Sequence, residues 1–81
     1  MSASTVANLL VTHGSRDPRS HRAAHQLVEQ VQQRIASPVG LAALELAPEP
    51  LHQQIVNFCD RIESWGCTAL RIVPLFLLPG V

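Results

Sequence analysis

The sequence carries no surplus of either charge: six basic and six acidic side chains leave a formal net charge of zero. Without a clustered basic surface there is no electrostatic case for a nucleic-acid partner. Cysteine is scarce. Cys59 and Cys67 are spaced for neither a CxxC redox motif nor a zinc knuckle. The chain opens on the polar Met1-Ser2-Ala3-Ser4-Thr5, with no basic stretch ahead of an apolar one, so the pair reads as the reduced thiols of a cytoplasmic protein. The apolar runs are far too short to span a bilayer, which excludes a transmembrane helix. There is no internal repeat and no low-complexity linker. Neither GxGxxG nor GxxxxGKS/T occurs, so a glycine-rich nucleotide loop is not supported.

What is present is one small domain's worth of chain, 81 residues of which 47% are hydrophobic. A domain of that size buries only ~60–65% of the surface its unfolded chain exposes, and its stability is marginal. Five elements can be placed. Val6 to Thr12, with the run Leu9-Leu10-Val11, suits a strand buried on both faces, and Gly14 breaks it. Asp17-Pro18 opens a helix, as an N-cap acceptor followed by proline at the first helical position. Ala24, Val28, Val31 and Ile35 continue it at helical spacing from about Pro18 to Ala36, and Ser37-Pro38 ends it. Val39 to Leu46 is read as a second strand from its place between two better-marked helices. Pro48-Glu49-Pro50 opens the next helix, whose stripe of Leu51, Ile55, Phe58, Ile62 and Trp65 is expected in the core, with Gly66 at C′. Ala69 to Pro74 forms a third strand, followed by an apolar, turn-containing tail from Leu75 to Val81.

The order βαβαβ implies a parallel α/β sheet with flanking helices. Three strands and two helices are expected to leave both sheet edges open and the fold incomplete. In open parallel sheets, ligands bind beyond the carboxyl ends of the strands, and His13-Gly14-Ser15-Arg16 lies there, between a strand and a helix start. Unpaired N–H groups at the helix start, with Arg16, Arg19 and Arg22 nearby, favour an anion such as a ligand's carboxylates. His13 adds an imidazole able to bind a metal or move a proton near neutral pH.

His13-Gly14-Ser15-Arg16-Asp17-Pro18-Arg19 behind a Leu-Leu-Val strand resembles the start of the sirohydrochlorin cobaltochelatase/ferrochelatase family, the small class II chelatases. Two further segments match in order: Leu44-Glu45-Leu46-Ala47 before a proline-opened helix, and Val73-Pro74-Leu75-Phe76-Leu77-Leu78-Pro79-Gly80 after the third strand. The resemblance spans Leu9 to Val81. It implies a chelatase-like, flavodoxin-like sheet, of which residues 1–81 form a single N-terminal part. It also implies pairing of two α/β halves around a tetrapyrrole cleft, through a homodimer or a completing chain.

The implied activity is insertion of Co²⁺, Fe²⁺ or Ni²⁺ into sirohydrochlorin, serving cobalamin, sirohaem or a nickel cofactor. The divalent metal is then a substrate, and no organic cofactor is needed. His13 becomes the first of two active-site histidines. The second is expected one or two positions after Gly80, where this chain stops at Val81. If the strand order is 2-1-3, that position and His13 would share one crevice. His13 and Glu45 are the candidates for holding the cation or taking a pyrrole proton. Ser15 and Arg16 are candidates for the substrate's carboxylate rim.

Plainer roles stand beside these. Ser15 can simply cap the helix, Arg16 can be a solvated loop charge, and Glu45 an exposed carboxylate at a strand end. His21 and His25, four apart on a helix, share a face that can bind zinc, but with no third ligand they read as a solvated pair. His52 reads as surface. Two other functions compete. Leu10-Val11-Thr12-His13-Gly14 resembles the start of histidine phosphatases, yet Thr12 stands where that family has arginine. A chelatase half without a second histidine can also be an inactive fragment, or a subunit that depends on a partner.

Overall fold

A computed structural model describes residues 6–75. Three parallel strands and two helices alternate: β1 (Val6–Thr12), α1 (Pro18–Arg34), β2 (Val39–Ala43), α2 (Leu51–Ser64) and β3 (Ala69–Pro74). The sheet order is β2-β1-β3. The first crossover therefore runs one way across the sheet and the second runs back. Right-handed crossovers then put the two helices on opposite faces. β1 is the spine: Ala7 to Val11 are all buried, as its unbroken apolar run requires.

The two faces are packed unequally. Ala7, Leu9 and Val11 meet Ala42 and, from α2, Phe58 and Ile62, with Leu51, Ile55 and Leu70 packed around them. Close approach of α2 depends on Gly40, where a Cβ would stand 2.5 Å from Phe58 Cε1. The Arg61 guanidinium lies 5.5 Å from the centroid of the Phe58 ring. On the other face, α1 has no fully buried residue, and Ala24, Val28 and Val31 are only half-buried.

Three expectations change at the ends of elements. Helix α1 stops at Arg34 rather than Ala36. Ile35 takes an extended conformation and is exposed, because Gln32 turns back to accept from Val39 N–H and donate to the Ser37 carbonyl, each at 2.8 Å. Strand β2 ends at Ala43, not Leu46, and Leu46 swings to a φ of 59°. Trp65 is not in the core: it is the C-cap of α2, with φ −96° and ψ 5°, and lies 59% exposed. Beyond it, Gly66 N–H donates to the Glu63 carbonyl and Cys67 N–H to that of Ile62. Gly66 has a φ of 87°, which completes a Schellman close that turns Cys67 into the core in place of Trp65.

Among the described residues both sheet edges lack a strand partner, as expected, but the β2 edge is partly covered. Gln54 pairs with Ala43 as a strand would, accepting from its N–H at 3.0 Å and donating to its carbonyl at 2.8 Å. With Gln32 on Val39, two side-chain amides blunt this edge. At β3, Ile72 is 46% exposed although it shares the register of buried Leu9.

Gly40→Ala should destabilise the fold by about 1–3 kcal/mol through overpacking against Phe58. Phe58→Leu should be harmful alone but recover part of that loss in the double variant. Urea midpoints of the four proteins check this, and strict additivity would contradict the contact.

Candidate functional site

Beyond β1 the chain stays tied to β2. Leu44 N–H donates to the Thr12 carbonyl at 2.8 Å and Glu45 N–H to that of His13 at 3.0 Å. The parallel ladder thus outruns both strands and sets the two loops side by side. Gly14 makes this possible. Its φ is 108°, and a Cβ there would stand 2.1 Å from the Glu45 carbonyl oxygen. Only glycine fits both conditions.

This backbone clamp brings His13 and Glu45 together. His13 Nε2 lies 3.7 Å from Glu45 Oε2, and the two side chains are 61% and 63% exposed. So exposed a pair adds little to stability. Both line a cleft of about 820 Å³, bounded by α1, the carboxyl end of β2 and the β2–α2 loop, with Leu75 beyond β3 at its margin. Leu27, Leu41, Leu46 and Pro48 give it mostly apolar walls. A cleft of that size, apolar with a few converging polar groups, is suited to a small organic ligand.

Ser15 lines the cleft, whereas Arg16 is exposed and is not part of its lining. The helix start is less open to an anion than its arginines suggest. Asp17 already occupies it, accepting from Arg19 N–H at 2.9 Å, while Asp17 N–H donates to Ser15 Oγ at 3.0 Å. Arg19 folds back onto the same carboxylate, Nη2 to Oδ2 at 3.1 Å. That guanidinium, then the backbone N–H, hold the Asp17 carboxyl below its usual range, with a smaller pull from His21.

His21 and His25 are exposed, as a solvated pair would be, yet both line the cleft that holds His13. The His21 ring contacts the Ser15 carbonyl through Nε2. Helical spacing puts the pair on one face, but only the crossover shows that this face overlooks the loop of His13. Among the described residues, no group of three or more His, Cys, Asp or Glu is placed to hold a metal ion. Cys59 and Cys67 are free thiols and His52 is exposed. The position expected for a second histidine, with Phe76 to Val81, lies outside the described residues.

Three parallel strands in the order β2-β1-β3, with a cleft at their carboxyl ends, make this a doubly wound α/β domain with the ligand-binding end that a class II chelatase also needs. Comparison with protein families agrees: residues 7–81 match the CbiX family profile. The chain belongs to the CbiX family of class II sirohydrochlorin chelatases. No curated protein and no solved structure gave a match. Among the described residues, no helix is long and apolar enough to cross a membrane.

Gly14→Ala should cost well over about 1 kcal/mol, because φ and contact both oppose a side chain. It should also shift the amide resonances of Leu44 and Glu45. Native-like resonances there would contradict the clamp. Asp17→Ala should lower the melting temperature at neutral pH. A carboxyl with a depressed folded-state pKa stabilises above its unfolded pKa, and that contribution is lost as pH falls through the folded value. The gap between variant and wild type should therefore close in acid below the usual carboxylate range. A gap independent of pH, followed by helical circular dichroism, would rule out this role for Asp17.

Proposed function

We propose that this chain inserts a divalent metal into a sirohydrochlorin-type tetrapyrrole, with His13 as the reactive residue and Glu45 as its assistant. The observation that carries the reading is the 3.7 Å approach of His13 Nε2 to Glu45 Oε2 at the edge of the cleft. Metallation exchanges two pyrrole protons for one M²⁺. A neutral imidazole can hold the incoming cation through its lone pair or accept a pyrrole proton, and the adjacent carboxylate balances the charge gained in either case.

The apolar walls suit the faces of the macrocycle. The substrate's carboxylate rim would meet Ser15 and, at the outer edge of the loop, Arg16. Imidazole and carboxylate suit Co²⁺, Fe²⁺ and Ni²⁺ alike, so the product would serve cobalamin, sirohaem or a nickel cofactor according to which metal is supplied. The same chemistry fits a cytoplasmic enzyme drawing on intracellular metal.

A second reading has its own support. Exposed Val56, Trp65 and Ile72, and an α1 with no buried residue, mark apolar surface suited to a second copy or a completing chain. On that reading the chain is a half-site that works only when paired. Phosphotransfer has no comparable support. Thr12 stands where an arginine would be needed, and its hydroxyl donates to the Ala42 carbonyl at 3.4 Å.

Metal insertion into sirohydrochlorin, followed by the absorbance change, tests the proposal. His13→Ala should slow the catalysed rate by about 10²–10⁴-fold, and Glu45→Gln should slow it less. Equal rates for wild type and His13→Ala, both above the spontaneous background, would remove His13 from the chemistry. Activity rising with protein concentration faster than linearly would favour the paired half-site.

A further inference from the structure

We propose that His21 and His25 form a second cation site, at the α1 wall of the cleft, which takes up a late first-row divalent metal ion from solvent. Residues four apart on a helix carry their Cβ atoms about 5–6 Å apart on one face, a spacing that lets two imidazoles share one ion. The pair lines the cleft that holds His13 and Glu45, and both rings are exposed. Water can fill the remaining coordination positions.

The contact with Ser15 selects the donor atom on His21. A carbonyl oxygen only accepts, so in the neutral ring Nε2 carries the proton and Nδ1 keeps the lone pair. The contact also orders one ligand before any ion arrives, as an outer partner does for a metal-binding imidazole. Direction follows from the helix. Side chains on α1 lean towards its N-terminus, so His25 leans over the turn of His21, and His21 reaches Ser15, two residues from His13. An ion entering at His25 therefore has imidazoles leading to the carboxyl end of β1. Across the cleft, Glu45 supplies the negative charge that draws it on.

The site itself stands on geometry. Its role in loading the metal rests on the chelatase reading above.

The test is a titration of the full chain with Co²⁺ alone, followed by calorimetry and by paramagnetic broadening of histidine ring resonances. Saturable broadening should centre on His21 and His25 and persist in His13→Ala. His25→Ala, whose ring makes no structural hydrogen bond with any described residue, should bind at least about tenfold more weakly, the lower end of the effect of losing even an outer-shell partner. His21→Ala should do the same, with its fold checked by circular dichroism. Wild-type affinity in His25→Ala would overturn the proposal, as would broadening confined to His13 and Glu45. A wild type that binds Co²⁺ through the pair yet leaves sirohydrochlorin unmetallated would overturn the chelatase reading and leave this site standing.

Discussion

Having no Cβ, Gly14 lets the β1–α1 loop run against the Glu45 carbonyl at a φ that side chains rarely adopt. Two backbone hydrogen bonds, from Leu44 to Thr12 and from Glu45 to His13, then carry the sheet past the ends of its strands. The approach of His13 to Glu45 follows from this main-chain clamp, not from attraction between two exposed groups. An exposed ion pair is too weak to hold a loop in place. Position is set by the backbone rather than by the pairing of the two side chains.

The same economy shows in how the faces are used. The face under α2 is close-packed, with Phe58 over Gly40 and a Schellman close that buries Cys67. The face under α1 is open, and that opening is the cleft. Helix α1, which walls the cleft, contributes no fully buried residue. Gln32 and Gln54 compensate locally. They pair the Val39 N–H and both main-chain groups of Ala43 with side-chain amides, which blunts the free edge of the strand next to the site.

Much of this was legible in the sequence wherever apolar spacing reports burial. β1, β3 and the start of α1 fall where Leu9-Leu10-Val11, Ile72-Val73 and Asp17-Pro18 place them. Trp65 fits the stripe of α2 in period, but the stripe cannot tell where helical geometry ends, and the close at Gly66 rotates Trp65 outwards. Gln32 and Gln54 look like solvated helix positions until strand order makes β2 an edge. His13 was identifiable because it sits in a local motif. His21 and His25 had no such motif, and their place in the cleft depends on how α1 crosses the sheet.

A chelatase differs from a metal-storing protein in that it must release the ion it binds. A closed set of four protein ligands would hold a late transition metal too firmly to pass it to a macrocycle. What meets here is one imidazole and one carboxylate, both more than half exposed, on loops fixed by main-chain contacts. On the proposed reading, such a pair would orient a cation while leaving most of its coordination positions to water, which exchanges readily for pyrrole nitrogens. On the same reading, the apolar walls would exclude water from around the macrocycle and make each remaining polar contact count for more, the His13–Glu45 pair among them. The exposure of His13 and Glu45, which makes them poor contributors to stability, would on that reading be what lets an ion be handed on.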